Sequence, residues 1–192
     1  AGQTFDLQAR REVVLAGGAI NSPQLLLLSG VGPRAELERH GIAQVHELPG
    51  VGQNLQDHLD VIVACRERRR ASYGFALSFL PRLLQGIVDF RRHGRGFLTS
   101  NMAEAGGFVK TDPALPRPNI QYHLTATILD DHGLRIWYGY GYSLHVCDLR
   151  PKSRGTLTLR SADPRDPPCL QPHYLSHPDD LETLLIDFGV AA

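Results

Sequence analysis

The residues best placed to do chemistry lie near the start of the chain. An apolar run, Arg11-Glu12-Val13-Val14-Leu15-Ala16, stops at Gly17-Gly18. Its β-branched residues read as a buried strand. A glycine at the end of such a strand lets backbone approach a ligand, because no Cβ stands in the way. Ser22-Pro23 then opens a helix: serine caps orphan N–H groups, and proline fits the first helical position, where its missing N–H costs nothing. A helix start of this kind offers unpaired N–H groups and a positive dipole end, suited to a phosphate or a polar ring edge. Glycine after a strand is equally an ordinary turn, so from this segment alone both readings stand.

Other reactive side chains are weaker candidates. Asp57-His58 and Asp130-Asp131-His132 lack the i, i+4 spacing or the third ligand that a zinc site wants. Asp57-His58 follows a turn and reads as a pair that fixes backbone. His123 and His145 fall on expected strands, where a polar face is the default. Lys152 and Arg154 flank Ser153 before a strand, and bracing a turn explains them better than binding an anion. Cys65, Cys147 and Cys169 are far apart and odd in number, and none forms a CxxC pair. That spacing argues against a disulfide framework and fits a reducing compartment.

The elements that must hold these residues change character along the chain. Up to about residue 58 the texture is strand, glycine turn and short helix, as in an α/β layer. The first helix ends at Gly30 and Gly32, and a second covers residues 33–40, closed by Gly41. A strand is then expected at 61–65. Leu77, Leu80, Leu83, Leu84, Ile87 and Val88 follow at helical spacing, with Arg91, Arg92 and Gly94 as a stop. Ile120, Tyr122, Leu124 and Ala126 alternate with Gln121, His123 and Thr125, the period of a half-buried strand. Residues 140–149 and 155–159 give two more strands. Leu181, Leu184, Leu185 and Phe188 mark a last amphipathic helix. The strands crowd too closely for βαβ units, so an antiparallel sheet with covering helices is expected here.

Composition bounds the function. The chain has 192 residues, 42% hydrophobic, with 20 Lys and Arg against 20 Asp and Glu. Balanced charge argues against nucleic acid as a partner, since phosphate binding relies on a basic surplus. No apolar run, Leu25-Leu26-Leu27-Leu28 included, comes near the roughly 20 residues needed to span a bilayer.

Gly18-Ala19-Ile20-Asn21-Ser22-Pro23-Gln24-Leu25-Leu26-Leu27-Leu28-Ser29-Gly30-Val31-Gly32 resembles the second signature of the glucose–methanol–choline oxidoreductase family. The likeness continues through Leu48-Pro49-Gly50-Val51-Gly52-Gln53-Asn54-Leu55-Gln56-Asp57-His58. It resumes at Ala103-Glu104-Ala105-Gly106-Gly107-Phe108 and at Leu149-Arg150-Pro151-Lys152-Ser153-Arg154-Gly155. Ser161-Ala162-Asp163-Pro164 and Tyr174-Leu175-Ser176 extend it almost to the end. Within the family the chain looks most like choline dehydrogenases and long-chain or polyethylene-glycol alcohol dehydrogenases.

That resemblance implies an α/β plus α+β chain: part of an FAD-binding domain of nucleotide-binding type, joined to a substrate domain with an antiparallel sheet. Residues 1–58 would belong to the first and 59–192 to the second, with the last helix returning toward the flavin domain. Cofactor contacts are expected at Ala16, Gly17, Ser22 and Asn54, mostly through backbone. Glu104 falls where some choline-oxidising relatives place a carboxylate facing the quaternary ammonium, and aromatic neighbours would help hold such a cation. Relatives that oxidise neutral alcohols share this stretch, and there Glu104 would brace a Gly106-Gly107 turn.

The family oxidises an alcohol by hydride transfer to flavin, and the protein supplies orientation and electrostatics. A C-terminal histidine sits near the substrate hydroxyl in these enzymes. Neither that histidine nor a strand followed by GxGxxG is matched here. The chain therefore reads as an internal fragment, inactive alone, with its catalytic residues beyond Ala192. The implied partners are a small-molecule alcohol and a quinone or respiratory-chain acceptor, with peripheral membrane contact at the inner, cytoplasmic face. The competing reading is a binding or structural module of the same fold that has lost redox chemistry.

Overall fold

The computed structural model describes residues 5–130, 134–135 and 137–191. It divides into two compact units, one of residues 1–56 with 154–173, the other of residues 57–153 with 174–192. The returning segment 154–173 thus belongs with the first unit, and the last helix with the second.

In the first unit the run at 11–16 forms no strand, and Val13 and Val14 are each 76% exposed. A strand exists only through pairing, and among the described residues nothing pairs with this run. Helix α1 spans Gly18–Leu28 and begins four residues before the Ser22-Pro23 start expected from sequence. Pro23 is tolerated inside it because the acceptor it deprives, the Ala19 carbonyl four residues back, lies in the first turn. Gly30 follows the helix with φ +80° and gives the expected stop. Strand β1 (Val31–Gly32) pairs in parallel with β2 (His46–Glu47), and α2 (Arg34–Arg39) lies between them in sequence. The core joins Leu27, Leu37, Val51, Leu157 and Leu159, the last two brought in by the returning segment.

The second unit is an antiparallel sheet in the order β3-β7-β6-β5, as expected for this half of the chain. Strand β3 is Asp60–Arg66, and β4 (Gly74–Phe75) pairs with the start of β7. Leu77–Phe79 forms a 3₁₀ turn leading into α3 (Leu80–His93), which Gly94 stops at φ +59°. Strand β5 is Ala103–Val109, β6 Ile120–Thr125 and β7 Gly139–Asp148. The hairpin β8 (Thr156–Thr158) with β9 (Cys169–Gln171) belongs to the first unit. Helix α4, Pro178–Ala191, packs on β7 and β3. The Phe188 side chain expected on its apolar face lies outside the described residues, as do Asp131 and His132.

Two sequence expectations fail in this sheet. Gly106 and Gly107 form no turn; they lie within β5, where a Cβ at Gly106 would stand 2.5 Å from the Tyr122 carbonyl oxygen of β6. Strand β6 also does not bury one face uniformly. Leu124 is 37% exposed while Thr125 is buried, its hydroxyl donating to the Thr127 and Ser143 carbonyls at 3.0 and 3.3 Å. A hydroxyl satisfied in this way can be buried at little cost.

Candidate functional site

The start of α1 opens beside a cavity of about 430 Å³, a size common for ligand pockets. Its walls are Ala19, Ser22, Pro23 and Leu26 of α1, the 50–56 loop and Leu157. Of the four expected cofactor residues, Ser22 and Asn54 line it; Ala16 and Gly17 are exposed and precede it in the chain. Ser22 does not cap the helix start. Its hydroxyl instead accepts the Gly17 N–H at 3.0 Å and pins the turn that leads into α1. Gly17 is required by packing: a Cβ there would sit 2.9 Å from Asn21 Cβ and 3.2 Å from the Ser22 nitrogen. A Cβ at Gly18, which has φ +77°, would meet nothing within 4 Å. No side chain caps α1, so its first-turn N–H groups keep their donor capacity. Asn54 holds φ +61°, a left-handed conformation that costs a non-glycine residue about 1–2 kcal/mol. Strain of that kind gathers at functional sites.

The second unit holds a separate cavity of about 490 Å³ between the β4 turn, α3 and the Phe97–Thr99 turn. Tyr73, Phe79, Phe97, Leu80 and Leu83 are among its walls. The rings of Tyr73 and Phe97 stand 5.2 Å apart, and Phe79 meets Phe97 edge-on at 5.5 Å. Glu104, on β5, is exposed. One of its oxygens, Oε1, accepts from the hydroxyls of Ser100 and Tyr73, each at 2.7 Å. Those two bonds, Ser100's first, hold its carboxyl below the usual carboxylate range. The same bond to Glu104 raises the Tyr73 phenol.

Sequence reading missed a polar cluster on the sheet. His145, expected on a polar face, is buried, and its Nδ1 lies 2.6 Å from Asp60 Oδ2. The Cys147 thiol reaches the other oxygen of Asp60 at 3.7 Å. Burial, with Asp60 beside it, pushes that thiol up to about 12, so it stays protonated and unreactive. Only strand register reveals this cluster, because Asp60 and His145 are 85 positions apart. Asp57 accepts the His58 N–H at 2.9 Å and the Tyr174 hydroxyl at 2.5 Å, which makes it a tie between segments.

Lys152 and Ser153 brace the chain onto α4. Asp180 is 4% exposed and accepts from the Lys152 N–H at 2.7 Å, the Ser153 N–H at 2.9 Å and the Ser153 hydroxyl at 2.5 Å. Lys152 also pairs with Asp179. Among the described residues no group of three or more His, Cys, Asp or Glu is arranged to hold a metal ion. No described helix is long and apolar enough to cross a membrane.

Two family models described as GMC oxidoreductase match the chain, one at residues 1–60 and one at 151–189. An alcohol dehydrogenase [acceptor] of Pseudomonas putida is 56% identical over 174 residues, covering 91% of this chain and 32% of that protein. The mitochondrial choline dehydrogenase of Homo sapiens is 41% identical over 181 residues, covering 94% and 30%. The chain thus spans about a third of the length of these relatives. Among solved structures, formate oxidase of Aspergillus oryzae superposes with a TM-score of 0.83 at 25% identity, over 95% of this chain and 36% of that one. In sequence the two matched segments flank most of the antiparallel sheet, and the chain belongs to the GMC oxidoreductase family, in its alcohol and choline dehydrogenase branch.

Proposed function

We propose that this chain is the middle third of an FAD-dependent enzyme that oxidises a primary alcohol to its aldehyde. The observation that carries this reading is the cavity at the α1 start, which is built for a ligand with a polar, electron-rich edge. Gly50, Gly52 and Asn54 are among its walls, and the uncapped start of α1 beside it brings the positive end of the helix dipole. These groups fit the polar ring edge or a phosphate of FAD. Bound FAD supplies the hydride acceptor.

The chain's own residues hold and orient. Ser22 fixes the Gly17 turn, and the left-handed Asn54 carries the 50–56 loop around the cavity. Ala16 and Gly17 deliver the chain to the cavity's edge. On this reading the first unit is the flavin side and the second the substrate side, with segment 154–173 assigned to the flavin side. The residue that takes the hydroxyl proton lies outside the chain, so the chain alone is inactive.

The acceptor on this reading is a quinone or respiratory-chain carrier at the inner face of a membrane. Leu77, Leu80, Leu84 and Val88 form an exposed apolar ridge that ends beside Arg91 and Arg92, a pattern suited to peripheral contact with anionic lipid. The test is anaerobic mixing of the complete enzyme with primary alcohols. Bleaching of a stoichiometric yellow flavin, with aldehyde as product, is expected. A complete enzyme that binds no flavin, or whose flavin no alcohol bleaches, overturns the reading.

A further inference from the structure

The turn that follows β3 gathers positive charge. Arg66, Arg68, Arg69 and Arg70 fill four of five consecutive positions, and all four are exposed. Among the described residues, none of Arg66, Arg68 and Arg70 forms an ion pair. With Glu67, Tyr138 and Tyr140 these three arginines wall a cavity of about 550 Å³ in the second unit, at the end of the sheet where β3 stops. One carboxylate against three guanidiniums leaves that wall positive, in a chain whose charges otherwise balance.

Surface arginines ordinarily swing freely in water; several contacts restrain these. Glu67 closes the turn, its two oxygens accepting the Ala71 N–H at 2.8 Å and the Ser72 N–H at 2.9 Å. Its carboxylate therefore serves backbone rather than the guanidiniums. Arg70 sits at φ +57°, a left-handed conformation that a non-glycine residue holds only against strain. The Arg70 carbonyl accepts from the Arg82 guanidinium at 2.9 Å, which brings a further positive charge to the turn. Arg66 stands 5.6 Å over the Trp137 ring and Arg70 5.9 Å over the Tyr140 ring. The Tyr140 hydroxyl in turn meets Ser78 Oγ at 3.0 Å. A guanidinium over a ring engages its face and keeps its edge N–H groups for an oxyanion.

Clustered cations without a counter-ion repel one another, and an anion placed among them removes that cost. Guanidinium forks fit phosphate oxygens in pairs, and the excess charge suits a dianion. Tyr138, 71% exposed, adds an aromatic face to the same wall. The cavity is roomier than a bare phosphate needs, which leaves space for an organic group against that face.

We propose that this arginine cavity binds the phosphate of an organic phosphate ester, with Arg66, Arg68 and Arg70 on its oxygens and Tyr138 against the organic part. A soluble phosphomonoester and a lipid headgroup share that chemistry. The site needs no redox step, so it stands apart from the reading of the chain as a flavoenzyme.

The experiment titrates the complete protein, saturated with FAD, with inorganic phosphate, with phenyl phosphate and with phosphatidylglycerol vesicles, by calorimetry. A protein that takes up no flavin is titrated in the same way, so failure of the flavin reading leaves this test intact. Phenyl phosphate should bind saturably and more tightly than inorganic phosphate. The double variant Arg66→Ala with Arg68→Ala should weaken it roughly tenfold or more, as the loss of charge-assisted bonds requires. Lysine at both positions keeps the charge but not the forks, and should restore only part of the affinity. Tyr138→Ala should bring phenyl phosphate down to the level of inorganic phosphate. Arg117→Ala, at an exposed arginine between β5 and β6, should change nothing. Melting temperatures equal to wild type show that the variants are folded. Binding of the vesicles alone, lost in the double alanine variant and kept in Arg117→Ala, supports the site and makes a lipid headgroup its ester. Failure of every probe to bind overturns the proposal. So does binding that the double alanine variant leaves intact, or that Arg117→Ala weakens equally.

Discussion

In the first unit the cavity is bounded by Gly50, Gly52 and the left-handed Asn54, with a helix start beside it; in the second it is bounded by rings and leucines from the β4 turn, α3 and the Phe97–Thr99 turn. Turn residues and a helix start contribute to the first cavity, alongside Leu26, Val51, Leu55 and Leu157, whereas aromatic and leucine side chains dominate the second. A phosphate or ring edge is met by N–H groups, which every residue carries and which need only the right turn. An apolar ligand is met by apolar surface, which must be assembled from several elements. Substitutions should follow the same division: the first site should respond to conformation and Cβ bulk, the second to side-chain volume and charge.

The largest effect expected outside the cavities is at Asp180. Asp180→Ala leaves two backbone N–H groups and the Ser153 hydroxyl without the carboxylate that receives them, a loss of about 3 kcal/mol. Urea unfolding followed on the second unit measures it. Burial raises the Asp180 carboxyl, but the bonds from Ser153 and Lys152 outweigh that and hold it below its ordinary 3.8. A group depressed in the folded state stabilises fully above its unfolded pKa, and the contribution fades as pH falls through the folded one. The gap between wild type and Asp180→Asn should therefore be constant at neutral pH and shrink from about pH 3.8 downward. A gap that widens on acidification contradicts the assignment.

A smaller effect is expected at Gly17, and it sharpens the contrast between the units. The added Cβ would strain against Asn21 and the Ser22 nitrogen inside the first turn of α1. Gly17→Val should thus cost about 1–3 kcal/mol through overpacking and lose flavin because the helix start shifts. Normal stability with flavin lost would instead mean that the clash is with the cofactor itself. Full retention of both would reduce Gly17 to a replaceable turn residue.

How far the sequence reveals each unit follows from the same difference. Helix ends are local, so Gly30, Gly41 and Gly94 marked stops that the structure keeps. The α3 stripe and the strands at 60–66, 120–125 and 139–148 were legible because periodicity is local too. Strand β5 was not read as one, because Ala-Glu-Ala-Gly-Gly-Phe-Val carries few β-formers. Its glycine answers to the Tyr122 carbonyl of β6, which no local pattern encodes. The run at 11–16 failed in the opposite way: its composition is that of a strand, but pairing decides, and it has no partner among the described residues. The start of α1 was misplaced because Ser22-Pro23 looks like a cap, while the hydroxyl serves the Gly17 turn. The cavity beside α3 and the Asp60–His145 pair join residues far apart in the chain, and they become visible only in three dimensions.

The division between a backbone-built and a side-chain-built site is tested most directly at Asn54, by the flavin bound per protein in two variants of the complete enzyme. Asn54→Gly removes the side chain but keeps the left-handed turn and should retain nearly full flavin. Asn54→Val keeps a side chain but disfavours φ +61°, and roughly 1–2 kcal/mol of strain should lower flavin affinity about tenfold. If Asn54→Gly loses flavin as severely as Asn54→Val, the Asn54 side chain holds the cofactor and the backbone account of the first site is wrong.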